Sequence, residues 1–186
     1  SELIAMVSTC AIGLLKGQAK QLQTIDEYIA KYTQKNESCR KLMTIPYVGP
    51  VTAAALYAVM YRPENFKNSR QFAAYAGFAP AHTGTGGKII MGGIPKKGNP
   101  LLKRVLFQAC LALYSRNQRA KHFAAADEDT WLKCLARRKP VKKAVCAAAN
   151  KICRIAWALL HNGECYAAEK STLGIARIKS KRIMTR

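Results

Sequence analysis

The sequence predicts an all-α domain, and three observations carry that expectation. Apolar residues recur at helical spacing through several long stretches. Prolines stand where helices should begin, at Pro100 and Pro140, and most of the glycines gather in one segment, 77–98, rather than being spread between strands. The chain is 49% hydrophobic over 186 residues, enough to bury a core.

The first expected helix runs over 3–31, with Ile4, Val7, Ala11, Leu14, Leu15, Leu22, Ile25 and Ile29 near a 3.6-residue period. Gly13 and Gly17 loosen its first half, and Leu22, Ile25 and Ile29 form a narrow stripe suited to pairing with another helix, as in a coiled coil. A second helix is expected over 37–44 and a third over 51–60, joined by the tight turn Ile45-Pro46-Tyr47-Val48-Gly49-Pro50. Asn68 or Ser69 should cap a short helix ending at Tyr75. The glycine-rich segment 81–98 has room for a small hairpin. After it, Asn99 as N-cap and Pro100 at the first position start a helix to about 116, with Leu102, Val105, Leu106, Ala109 and Leu113 inward. Two more helices follow, about 122–137 and about 140–162, the last stopped near Gly163 and burying Val141, Val145, Ala148, Ile152, Ile155 and Leu159. This divides the chain into a helical connector (1–40), a main domain (41–165) and a basic tail (166–186).

Charge narrows the class of partner. There are 31 Lys+Arg against 10 Asp+Glu, a formal net charge of +21. Such an excess repels itself and calls for a polyanion, first of all nucleic acid. A spanning helix needs roughly 20 apolar residues in a row, and the chain has no such run, so a membrane partner is not expected. Glu2 near the start and the lack of a basic leader read as no signal peptide. The seven cysteines are odd in number, form no CxxC pair and sit mostly among Ala, Leu and Ile, where thiols behave as small apolar groups. A reduced cytoplasmic setting without a zinc site is expected, and His82, His122 and His161 offer no ligand spacing.

Three segments carry chemistry. In 42–56, LMTIPYVGPVTAAAL, a turn between two short helices can present backbone N–H groups to a phosphate, Gly49 giving close approach and Thr52 a hydroxyl. Tyr47 stands where this helix–hairpin–helix turn more often has glycine, and an ordinary packing corner is the alternative. On the last helix Lys143, Asn150 and Arg154 align opposite the apolar side, flanked by Lys139 and Lys151. Arg137, Arg138, Lys139, Lys142 and Lys143 crowd its N-terminus, where cations oppose the macrodipole and so do not serve helix stability. That face carries no acid, which favours a nucleic-acid surface over a solvated one. In the glycine loop, Thr83 and Thr85 lie beside Gly84, Gly86 and Gly87, with Lys88, Lys96, Lys97, Lys103 and Arg104 following. Hydroxyls, hinge glycines and cations suit either phosphate binding or attack on a phosphodiester; the residues alone favour binding, because the base that attack requires is not evident beyond His82.

Four segments in order, IPYVGPVTAAAL, FKNSRQFAAYAGFAP, TGTGGKIIMGGIPKKGNPLLKRVLFQA and KKAVCAAANKICRIAWALL, resemble the C-terminal transposase domain of the DEDD insertion-sequence transposases of the IS-one-ten type, with the related Piv-like DNA invertases. The likeness covers roughly residues 40–165, and a merely basic ribosomal or chromatin component would not explain it. It implies DNA as partner, in many members a structured guide RNA, and a place at the bacterial nucleoid in the cytoplasm. It also implies a RuvC-like domain whose four acids hold magnesium, and a serine of this C-terminal domain that attacks DNA and becomes linked to it. The chain departs twice from that pattern. Its acids do not form a RuvC-like metal set, so no cofactor is expected in this chain. The serine's place before Gly-Gly-Lys is taken by Thr85, whose extra methyl restricts χ1 and crowds attack. The implied strand-transfer role and a non-catalytic basic module both stay open.

Overall fold

The computed structural model describes residues 2–85, 87–120 and 131–166. Gly86, residues 122–130 of the expected sixth helix and the tail from 167 lie outside them. The chain is all-α apart from one small hairpin. Seven helices are described: α1 (Glu2–Lys35), α2 (Glu37–Met43), α3 (Pro50–Val59), α4 (Ser69–Tyr75), α5 (Pro100–Ala120), α6 (Trp131–Arg138) and α7 (Val141–Asn162). A 3-10 turn covers Pro63–Asn65, and β1 (His82–Thr85) pairs antiparallel with β2 (Lys88–Met91).

At 34 residues α1 is roughly 50 Å long, and only its last turns meet the body, against α2 and α3. It runs four residues past the expected end because Thr33, wholly buried, keeps its hydroxyl satisfied inside the helix by donating to Ile29 O (2.9 Å) and Ala30 O (3.0 Å). Asn36 then breaks the helix with an extended backbone and caps α2, its Oδ1 accepting from the Cys39 N–H at 3.1 Å. Along the projecting part Leu3, Ile4, Val7, Leu14, Leu22 and Ile25 are all more than half exposed.

Between α2 and α3, Tyr47 takes φ +66°. The turn therefore keeps the left-handed geometry that glycine would adopt freely, at the expense of a strained tyrosine. Gly49 is extended and exposed, and Pro50, expected as the last residue of the turn, opens α3 at its first position. Asn68 caps α4 by accepting from Gln71 N–H at 2.9 Å. Asn99 does the same for α5, accepting from Leu102 N–H at 3.1 Å.

The buried helix of the domain is α7, which packs against α2, α4, α5, α6 and the 3-10 turn. Its inward face is broader than a single stripe. Ala144, Ala148, Ala149, Cys153 and Ala156 are fully buried beside Val145 and Ile152, so small side chains let neighbours close in on two sides. The expectation for its ends is corrected: Val141 is 42% exposed and Ile155 only half-buried, because the packed face is centred on the alanine row. Likewise on α5, Cys110 is buried with Leu102, Leu106 and Leu113, whereas Val105 and Ala109 are half-buried. Gly163, at φ +72°, closes α7 as a left-handed cap. The Trp157 indole N–H donates to Pro63 O at 3.0 Å and fastens the 3-10 turn to α7.

Two glycines of this core tolerate no side chain. Gly98 has φ +114°, and a Cβ there would stand 2.5 Å from the Gly77 Cα. Gly98→Ala is expected to lower unfolding stability by about 2–4 kcal/mol. Gly49→Ala, at a position with open space and ordinary φ, should stay within about 0.5 kcal/mol. Urea unfolding of the two variants measures the contrast.

Burial pushes the Cys110 thiol up from 9.0 to about 12. A proton held more tightly in the fold stabilises it fully below pH 9 and is lost as pH rises toward 12. Over that window wild type should lose about 1.4 kcal/mol per pH unit more than Cys110→Ala, which pH-dependent unfolding curves would read as a difference in slope.

Candidate nucleic-acid interface

The glycine-rich segment is not a free loop. It is pinned where it leaves α4 and where it enters α5. Gly77 (φ +82°) and Gly98 cross backbone to backbone, and Asn99 N–H donates to Tyr75 O at 3.1 Å. Lys103, half-buried on α5, reaches back to donate its ammonium to Pro95 O and lies against Gly77. From α7, the Asn150 amide donates to Phe78 O at 3.1 Å. Next, Ala81 N–H donates to Gly93 O (3.0 Å) and Gly92 N–H to Ala81 O (2.7 Å), closing the base of the hairpin. The strands continue outward from there, His82 opposite Met91 and Thr85 opposite Lys88, with Gly87 at φ +80° in the turn.

This clamp leaves a cleft of about 900 Å³ between the hairpin base and α7. It is lined by Met91, Gly92, Gly93 and Ile94 from the end of β2 onward, by Phe78 and Pro80 ahead of β1, and by Trp131 of α6. The α7 wall supplies Lys143, Lys151 and Arg154, together with Cys146, Ala147 and Asn150. A smaller hollow of about 490 Å³ shares Phe78, Ile94 and Cys146 and adds Lys103, Arg104, Phe107 and Gln108. Neither is lined by an acid among the described residues. The Lys151 ammonium lies 4.3 Å from the centre of the Trp131 ring. Its pKa is held below the usual lysine value, first by burial and then by the Arg154 charge. Burial also raises the Cys146 thiol.

The cations named from the sequence thus fall into groups. Lys143, Lys151 and Arg154 share the cleft, Arg104 stands at the adjoining hollow, and Lys96 and Lys97 are exposed on the strap between β2 and α5. Lys103 lines that hollow too and donates its ammonium to Pro95 O, so it also serves the clamp. Thr52 is 7% exposed, and Gly49 is the open part of that turn. Gly49 and Thr52 do not line the cleft. The Thr85 backbone lies at the outer end of the hairpin, three residues beyond the His82–Met91 pair at its base. Sequence reading missed Phe78, Met91, Ile94 and Trp131. An aromatic residue close to a run of cations was the available signal for Trp131.

Comparison with known proteins fits this geometry. The sequence profile of the family described as "Transposase IS116/IS110/IS902 family" matches residues 39–125. The chain carries a transposase domain of the IS116/IS110/IS902 family. It is 37% identical over 150 residues to y4pF/y4sB of Sinorhizobium fredii, named as a transposase, covering 80% of this chain and 38% of that protein. It is 32% identical over 181 residues to the transposase for insertion sequence element IS1111A of Coxiella burnetii (89% and 48%). With the transposase for insertion sequence element IS1328 of Yersinia enterocolitica it shares 31% over 144 residues (77% and 42%). The chain therefore spans less than half the length of these relatives.

In the transposase domain the clamp and the surface cations should separate by experiment. Lys103→Ala is expected to cost about 1–2 kcal/mol in unfolding stability, because it leaves a part-buried carbonyl without its donor. Lys96→Ala, on the exposed strap, should cost no more than about 0.5 kcal/mol. Thermal unfolding of the pair reads the difference.

Proposed function

We propose that this transposase domain binds DNA and carries the strand-transfer hydroxyl of an insertion-sequence transposase. The single observation that supports this best is the cleft. The base of the hairpin that carries Thr85 lines it together with three α7 cations, with no acid among the described lining residues. Phosphates of the strand rest on Lys143, Lys151 and Arg154, with Arg104, Lys96 and Lys97 extending the track and Gly49 offering open backbone at a second point. Thr85 and Lys88 are register partners in the hairpin, and this reading assigns Lys88 to the phosphate under attack. Lys103 contributes indirectly, through the strap it holds. In the reaction the Thr85 oxygen bonds to phosphorus and its proton passes to solvent, while the P–O bond of the strand breaks and the leaving oxygen takes up a proton from solvent to become a free DNA hydroxyl.

Among the described residues no group of three or more His, Cys, Asp or Glu could hold a metal ion. Magnesium in this reading belongs to acids outside this chain, and no step here runs through it. A structured guide RNA, paired copies joined through the apolar stripe of α1, and work at the nucleoid in a bacterial cytoplasm complete the proposal. Among the described residues no helix is long and apolar enough to cross a membrane.

The second reading, a non-catalytic basic module left from a transposase, is favoured by one observation: a threonine stands in the position of the family serine. The test is a protein–DNA adduct. A covalent link mapped to Thr85 in a protein completed with the relatives' remaining length supports the nucleophile. If Thr85→Ser creates strand exchange while Thr85→Ala behaves as wild type, the module reading stands instead.

Binding itself has a quantitative signature. The affinity of the chain for a DNA duplex should fall steeply with salt, with a slope of log K on log salt near −0.9 per phosphate contact. The double variant Lys143→Ala with Arg154→Ala should make that slope shallower by about 2. Fluorescence anisotropy between 50 and 200 mM salt, roughly the range over which such contacts decide affinity, reads both.

A further inference from the structure

The cleft is more than phosphates require. A phosphate track needs cations at a surface, and Lys143 and Arg154 on the exposed side of α7 supply it. Much of the cleft lining is apolar: Phe78, Pro80, Met91, Ile94 and Trp131 stand beside the cations. Its volume, about 900 Å³, lies in the range of roughly 300–1,000 Å³ typical of sites that enclose a small flat ligand. Paired duplex hides its base faces in the stack, so it would use the cationic rim and leave this apolar interior empty. A nucleotide whose base has left the stack offers both halves at once, a flat apolar ring and flanking anions.

We propose that the cleft takes one unstacked base of a DNA strand, seated against Trp131, with its flanking phosphates on Lys143 and Arg154. This rests on the DNA-binding reading above and adds the class of substrate state that the site prefers. Lys151, now over the Trp131 ring, marks the ring face that opens to the cleft, since both residues line it. An incoming base takes that face, and the displaced ammonium moves to the rim, where a phosphate replaces the ring as its partner. Charge complementarity supports the occupant: three cations and no acid among the described lining residues. The Asn150 bond to Phe78 O and the Ala81–Gly92 and Ala81–Gly93 bonds hold both walls before any ligand arrives, so little ordering is lost on binding.

The experiment compares a short DNA duplex carrying one unpaired 2-aminopurine with its fully paired counterpart and with an RNA duplex of the same bulged sequence, using the full chain. The bulged DNA should bind about 10-fold tighter than the paired DNA, with further quenching of the 2-aminopurine as it stacks. Trp131→Ala should lower bulged-DNA affinity several-fold more than paired-duplex affinity and abolish the quenching, and Trp131→Phe should keep most of both. Met91→Ala, at an exposed position on the other wall, should reduce the preference several-fold and keeps the question open to test if Trp131→Ala fails to fold. Equal affinity for bulged and paired DNA, or equal losses for both in Trp131→Ala, overturns the base pocket and leaves the electrostatic reading intact. A stronger preference for the bulged RNA overturns DNA as the source. Failure to bind even paired DNA at low salt overturns the proposed function itself.

Discussion

Everything near the candidate site depends on one crossing of two glycines. Gly77 and Gly98 touch through backbone alone, both at positive φ, and the chain between them is thereby closed into a loop whose two ends share one point. Helices α4 and α5 are brought together there, and Lys103 and Asn150 fix the loop from either side. Without the crossing, the 81–93 hairpin base would have no set distance from α7. Glycine is required by space as much as by φ, because Lys103, the Lys97 carbonyl and the partner glycine already fill the volumes where side chains would go.

Charge is then laid over a frame that does not need it. The buried residues of α7 are alanines, cysteine, valine, isoleucine and leucine, and the cations Lys143, Lys151 and Arg154 lie on its cleft side. The first turn of that helix has no acid, so the macrodipole and the cations repel one another. The burial of Lys151 next to Arg154 adds to the same imbalance. That face of α7 thus gathers like charge at the positive end of the helix dipole.

Much of this was legible in the sequence. Asn68 and Asn99 read as caps because an amide oxygen three residues before a free N–H has one obvious partner. The line Lys143–Asn150–Arg154 read as a polar face because helical period is a local property. Lys103 was not legible as a clamp, since its partner Pro95 is fixed only by the loop it closes. Thr52 gave no sign that it would face the core from the first turns of α3. Val141 is exposed where burial was expected, and Ala144, outside the expected inward set, is buried, because close helix packing favours alanine. The cleft was invisible for a similar reason: Phe78, Met91 and Trp131 are far apart in the chain and meet only through the crossing. Tyr47 is the instructive middle case. Sequence marked the residue as out of place in its turn, and the structure answers that the backbone geometry is kept and the side chain bears the strain.

The long exposed run of α1 has a consequence of phase. Each residue along it turns the helix by about 100° and advances it 1.5 Å, so Leu3, Ile4 and Val7 hold a fixed azimuth relative to Leu22 and Ile25 only while the count between them is kept. One inserted residue would swing the whole outer half a quarter-turn around its axis without melting a single hydrogen bond. Insertions of seven or eleven residues would restore the alignment almost completely. Gly13 and Gly17, with nothing within 4 Å of where a side chain would sit, lie between the two halves. The helix therefore works as a dial as well as a spacer, and its setting is written in the number of residues rather than in their kind.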